Sequence, residues 1–257
     1  MASGAAYSRF VDRKPHELLW RRLSRLAGLA EGALSDQERS MIRQTCAAPG
    51  EVPAGAALYV EGEPLKKPGV LLAGWACRLR LLSDGRRQIF DFLLPGDLFG
   101  HPLGPEPFAT TSAVTLTTVS IAGTGCLWEM VREPDRFPGL VRALAVAQAR
   151  QQAGLLDHVV RLGRQTAQER VAHLLLELGH RLDEIGFPLG TYVPLPLTQE
   201  VMADALGLSV VHVNRTLQQL KRDRLIETRA TSVRLIDPVA LATIADFRLP
   251  PGRPAGS

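Results

Sequence analysis

The sequence predicts an α+β fold: N-terminal helices, an all-β sandwich or barrel, one long helix, and a C-terminal helical hairpin backed by a two-stranded wing. Three observations predict it. Leucines recur at helical spacing near the N-terminus. Glycines punctuate short β-rich runs from Pro49 to Ala122. Helical periodicity then returns and runs almost to the end.

Each element follows from its own residues. Residues 1 to 14 are small and polar and predict a flexible lead-in, as do residues 248 to 257 at the other end. From Pro15, Leu18, Leu19, Leu23, Leu26 and Leu29 mark a first helix. Ser35 and Glu38 form a capping-box pattern for a second, with Met41 and Ile42 on its apolar face. In the β region the clearest pair is Ala76 to Leu82 and Arg87 to Leu94, joined through Asp84-Gly85, two residues that tolerate positive φ. Ser112 to Ile121, rich in Thr and Val, is a further strand region. Leu127 to Arg132 is a short helix stopped by Pro134.

The longest helical stretch runs from Pro138 to about Arg161. Leu144, Gln148, Gln151, Leu155, His158 and Leu162 alternate by four and three, the spacing of a coiled-coil seam with a polar middle. Periodicity alone leaves two readings, a dimer seam or a helix packed on its own domain. A break at Gly163 to Gln168 precedes a helix over Ala167 to Ile185, whose Val171, Leu174, Leu175 and Leu178 share a face. Gly186 to Pro196, with two glycines and three prolines, is a connector. The domains are then 15–137 (helices and β region), 138–163 (the long helix) and 164–240 (the C-terminal domain).

Bulk properties narrow the function classes. The 257 residues are 46% hydrophobic and 22% charged, an ordinary soluble mix with a net charge of +4. Mild basicity permits a nucleic-acid partner without requiring one. Cys46, Cys77 and Cys126 are scattered, which predicts free thiols in a reducing cytoplasm and leaves a thiol switch at Cys126 open. No apolar run approaches the ~18 residues of a membrane span, and no signal pattern opens the chain.

The C-terminal hairpin carries the functional signal. Thr198 is an N-cap for a short helix, Ala203 is small enough for a close helix crossing, Gly207 supplies a left-handed turn, and Ser209 caps the helix that follows. In that second helix Val213, Leu217 and Leu220 form the stripe predicted to be buried. Val211, His212, Arg215, Gln219 and Arg222 face out, and Arg215, Lys221 and Arg222 stand there with no acid among them. A positive helix with long hydrogen-bonding side chains suits the DNA major groove. Gln199 and Asn214 complete the candidate contact set with Thr198 and Ser209. Two strand-like runs, Leu225 to Arg229 and Ser232 to Ile236, form a wing that brings Arg224, Arg229 and Arg234 towards phosphate. The bland reading is a helical hairpin with a solvated basic face.

These residues resemble the Crp-Fnr regulators, the relatives of the cyclic-AMP receptor protein and the fumarate-nitrate regulator. The run from Leu197 to Arg215 is similar to the family's helix-turn-helix, and Ser83 to Gly100 is similar to its β-roll signature, which implies an antiparallel β-roll of the jelly-roll, cyclic-nucleotide-binding-like kind. The resemblance spans roughly residues 20 to 237 in the family's order. It implies a cytoplasmic homodimer joined along the long helix, with double-stranded DNA and RNA polymerase as partners and no enzymatic activity. It also shows departures. The family's nucleotide binders place Gly-Glu after the signature Phe and an Arg-Ser pair further on. Here Gly100 is followed by His101, the matching stretch is Pro107 to Thr111, and no arginine lies between Arg87 and Arg132. A cyclic phosphate would lack a cation, and the cysteine cluster of the iron-sulfur members is missing. No cofactor is assigned, although His101 and His158 leave haem open, as the β-roll leaves a small-molecule effector. Val211 stands where family members often carry glutamate. It offers only apolar contact, for instance to a thymine methyl, whereas Arg215 can reach guanine in bidentate fashion.

Two rivals are weighed against this. A cupin-like metal enzyme needs clustered ligands, but of His16, His101, His158, His173, His180 and His212 only His101 lies in the β region, and His173 and His180 suit a solvated helix face. A signalling or scaffold module would use the winged helix to bind protein.

Overall fold

A computed structural model describes Leu19, residues 34–101 and residues 107–247. The predicted first helix, apart from a buried helical Leu19, and both predicted tails lie outside the described residues. The chain divides into two compact units. The first holds residues up to His158 together with Glu184–Gly186, and the second holds the remainder.

In the first unit, helix α1 (Asp36–Thr45) opens on the predicted capping box, with the Ser35 hydroxyl accepting from Glu38 N and the Glu38 carboxylate accepting from Ser35 N. The other Glu38 oxygen accepts from Leu140 N at 2.8 Å. One buried carboxylate thus satisfies orphan amides at the start of two helices. Eight strands follow: β1 (Gly50–Val52), β2 (Ala57–Tyr59), β3 (Gly69–Ala73), β4 (Ala76–Leu81), β5 (Arg87–Leu93), β6 (Leu98–Phe99), β7 (Ser112–Thr115) and β8 (Val119–Gly123). They form two antiparallel four-stranded sheets, ordered β1-β8-β3-β6 and β2-β7-β4-β5. Strand β3 is buried on both faces. Its period-two alternation sends Leu71 into a core with Leu93, Phe99 and Val119, and Val70 and Leu72 into a second core with Ile42, Leu127 and Leu140. Gly69 permits this packing, since a Cβ there would lie 2.4 Å from the Phe99 ring. In the β4–β5 turn only Gly85 has positive φ. Asp84 instead accepts from Arg86 N, so one left-handed residue suffices.

Helix α2 (Gly125–Met130) leads to the long helix α3 (Pro138–Arg164). Of the predicted seam residues on α3, Leu155 is 40% exposed and the others are less so. Leu144 and His158 are 5% exposed, and Gln148, Gln151 and Leu162 are half-buried. The exposed row is Ala145, Ala149, Gln152, Leu156, Val159 and Gly163, which keeps the four-three alternation. Leu156 and Val159 are 62% and 66% exposed.

The second unit contains α4 (Ala167–Glu184), β9 (Val193–Pro194), α5 (Gln199–Leu206), α6 (Val210–Arg222), β10 (Ile226–Arg229), β11 (Ser232–Leu235) and α7 (Pro238–Ala245). Strand β9 arises inside the predicted connector and pairs with β11, giving a sheet ordered β10-β11-β9. His173 and His180 do not form a solvated face: both rings pack against Phe247, at 5.0 and 5.5 Å between centroids. Arg161, buried in the last turns of α3, pairs with Glu177 of α4 at 2.9 Å.

Candidate nucleic-acid interface

The hairpin of α5 and α6 is set by local chemistry. The Thr198 hydroxyl accepts from Val201 N, and the Ser209 hydroxyl accepts from His212 N, so each helix starts at its own cap. Between them Gly207 takes φ 60°, ψ 38°. A Cβ there would also crowd Leu162 at 3.3 Å. Arg170 of α4 donates to Leu206 O at 2.9 Å and so closes the carbonyl end of α5. Ala203 is buried at the crossing.

The buried stripe of α6 is Val213, Thr216 and Leu220. Leu217, predicted to be buried, is only half-buried, and Thr216 takes its place. A stripe stepping by three and four bends around the helix, so Thr216 lies nearer its centre than Leu217.

The candidate contact residues divide into two groups. Val211, His212 and Arg215 are exposed, and among the described residues neither the His212 nor the Arg215 side chain has a hydrogen-bond or ion-pair partner. The others are engaged. Asn214 donates to the Gln199 side chain at 3.0 Å, which ties α6 to α5. Gln219 donates to both carboxylate oxygens of Asp223, and Arg222 donates to Gln219 Oε1. Sequence reasoning placed no acid on α6, which is correct, but Asp223 is its C-cap and draws these two side chains together.

The wing shows the same division. Arg229 stacks 4.0 Å above the Tyr192 ring, and Arg234 donates to Gly190 O at 2.8 Å with Glu227 3.8 Å away. Tyr192 donates in turn to Glu227, whose hydrogen bond raises the phenol pKa above its ordinary value. Of the three wing arginines, Arg224 (φ 55°) is exposed at the turn out of α6. Tyr192 was not singled out in the sequence; its partners lie more than thirty residues on, beyond any local pattern.

The β-roll holds a cavity of about 670 Å³, lined by Tyr59, Arg78, His101, Thr110, Thr111 and Gln148 among others. It has a cation after all. Arg78, ahead of the stretch that lacks arginine, reaches it from β4. Its guanidinium is committed within the protein, 3.4 Å from Asp91 and donating to Leu98 O at 2.9 Å. Burial, with help from Arg78, pushes His101 down to about 4, so its imidazole is neutral at pH 7. His158 sits beside Gln88 Nε2 at 3.4 Å. His101 thus stands beside a cation, and His158 beside an amide. Among the described residues, His101 Nδ1 is buried without a hydrogen-bond partner. Among the described residues, no group of three or more His, Cys, Asp or Glu is placed to hold a metal ion. No helix among them is long and apolar enough to cross a membrane.

Comparison with known proteins agrees with both units. The profile of the Crp-like helix-turn-helix domain matches residues 169–244, and that of the cyclic nucleotide-binding domain matches residues 49–123. The nitrogen fixation regulation protein FixK of Rhizobium meliloti (strain 1021) is 33% identical over 193 residues, covering 75% of this chain and 84% of that protein. The transcriptional activatory protein AadR of Rhodopseudomonas palustris is 32% identical, covering 74% of this chain and 77% of its own. The solved structure of FixK2 from Bradyrhizobium japonicum superposes with a TM-score of 0.68 at 28% identity, covering 79% of this chain and 98% of that one. A winged helix-turn-helix that follows an antiparallel β-roll along the chain, with relatives of this identity across three quarters of its length, places the chain in the Crp-Fnr family of DNA-binding transcription regulators.

Proposed function

We propose that the protein works as a cytoplasmic homodimer on a near-palindromic DNA site, with RNA polymerase as a further partner and no catalytic role. The observation that carries this reading is the exposed row on α6. Val211, His212 and Arg215 project from a helix whose other face is locked into its domain, while Gln199, Asn214, Gln219 and Arg222 are held by neighbours. Arg215 and His212 supply base discrimination. Thr198 and Ser209 hold the amino ends of α5 and α6 towards phosphate, and Arg224 adds sequence-independent attraction. Two chains pair along the exposed face of α3, Ala145 to Gly163, so that their recognition helices enter successive major grooves ~34 Å apart.

The β-roll is the sensing domain in this reading, and it is not a cyclic-AMP receptor. Arg78, in its cavity wall, already faces Asp91 and Leu98 O, so a cyclic phosphate would have to displace an internal carboxylate. Selecting bound sequences from a random duplex pool tests the whole proposal. The expected result is a two-fold symmetric consensus, with affinity that falls steeply as salt rises. Retention of unrelated sequences without salt dependence would overturn it and favour a protein-binding module.

A further inference from the structure

The first turn of α6 is unusual for a solvated helix. Val210 and Val211 are adjacent, β-branched, and 40% and 65% exposed. Single exposed valines are ordinary, but these two cost helix propensity at the position where polar residues would cost less. Val211 also lies one turn before Arg215, on the same row, with His212 beside it. Val210 heads the neighbouring row, whose next member, Asn214, is held by Gln199. The apolar side chain therefore belongs to the unengaged face.

We infer that Val211 is a specificity residue that selects thymine through its 5-methyl group; this rests on the DNA-binding reading above. The major groove displays donors and acceptors on every base pair, and its one apolar feature among the unmodified bases is the thymine methyl. A valine pressed on cytosine N4 or adenine N6 would dry a donor without offering it an acceptor, which costs affinity. On thymine the same contact buries a methyl against a methyl. The Cβ atoms of Val211 and Arg215 stand about 5–6 Å apart, and bases step by about 3.4 Å along a strand. The thymine thus lies within about two base steps of the guanine that Arg215 reads.

The test uses the full-length chain and the duplex selected from the random pool. Each thymine of the half-site is replaced in turn by deoxyuridine, which removes the methyl and keeps the pairing. At one position per half-site, binding weakens about fourfold for the methyl lost. Val211→Ala erases that thymine–uracil difference and leaves the guanine preference intact. Val239→Ala, at a position 77% exposed on α7, leaves the difference as in the wild type. If a symmetric site is selected but every deoxyuridine duplex binds like its thymine parent, the assignment of Val211 falls and DNA binding stands. A difference that persists in Val211→Ala overturns it equally. If no sequence is selected, both readings fall together.

Discussion

Arg78 in the β-roll and Arg215 on α6 carry the same guanidinium into opposite surroundings. Arg78 is 8% exposed, faces Asp91 at 3.4 Å and donates to a backbone carbonyl. Arg215 stands in solvent with no partner among the described residues. A buried charge must find a counter-charge inside the protein or shift its protonation, whereas a solvated one is content with water. The first arginine is therefore committed to the fold, and the second remains available to a base or a phosphate. The pair shows why counting cations in a sequence says little about binding until each one's neighbours are known.

Removing the buried guanidinium should have the largest effect. Arg78→Met removes the guanidinium beside Asp91 and lowers stability by about 3 kcal/mol, the lower end for a broken buried pair because the Asp91 side chain retains 20% exposure. The urea midpoint reads this directly. Replacing both partners by apolar residues of similar size should restore most of the loss. A neutral single variant would break the comparison, since Arg78 would then be as uncommitted as Arg215. The counterpart, Arg215→Ala, should change the stability read from urea unfolding by no more than about 0.5 kcal/mol. It should weaken specific DNA binding by about 1–3 kcal/mol with dimerisation intact, as read by footprinting and sedimentation.

Arg78 also shapes the pH dependence. The folded protein holds His101 at about 4, against an ordinary value of 6.5, through burial first and the Arg78 charge second. The folded value is depressed, so the unfolded chain takes up the proton first. The His101 contribution to stability is constant well above pH 6.5 and falls as pH drops from there towards 4. At pH 5 the loss is about 2 kcal/mol. His101→Gln should flatten that window, and Arg78→Met should narrow it, which separates the two causes.

What could be read from the sequence follows from distance along the chain. The caps at Ser35, Thr198 and Ser209 and the left-handed Gly207 are local chemistry, and each sits where its residues place it. Contacts across long separations were not legible. Glu38 closes the start of α3 from 102 residues away, and Arg170 closes the end of α5 from 36. The seam on α3 shows the limit most clearly. Leu155 supplies an apolar residue to one stripe, and Leu156 and Val159 supply a second stripe offset by one position. Periodicity fits either, whereas the fold buries Leu144 and His158 of the first stripe. His173 and His180 looked solvated because nothing near them in sequence announces Phe247.

The smallest effect concerns a residue with two duties. Ser209 caps α6 by accepting from His212 N at 3.3 Å, and in the proposed complex its helix end faces phosphate. Ser209→Ala removes the cap and should lower stability by about 1 kcal/mol. It should also weaken binding, since a frayed first turn misplaces Val211 and His212. Ser209→Asp separates the duties. Aspartate caps as well as serine, and its charge favours a helix amino end, so the urea midpoint should hold or rise. The same carboxylate would repel the DNA backbone, so affinity for every sequence should fall while the preferred bases stay the same. If the Ser209→Asp variant bound DNA as tightly as the wild type, this end of α6 would not face phosphate. The unengaged row from Val211 to Arg215 would then have to meet its target in another orientation.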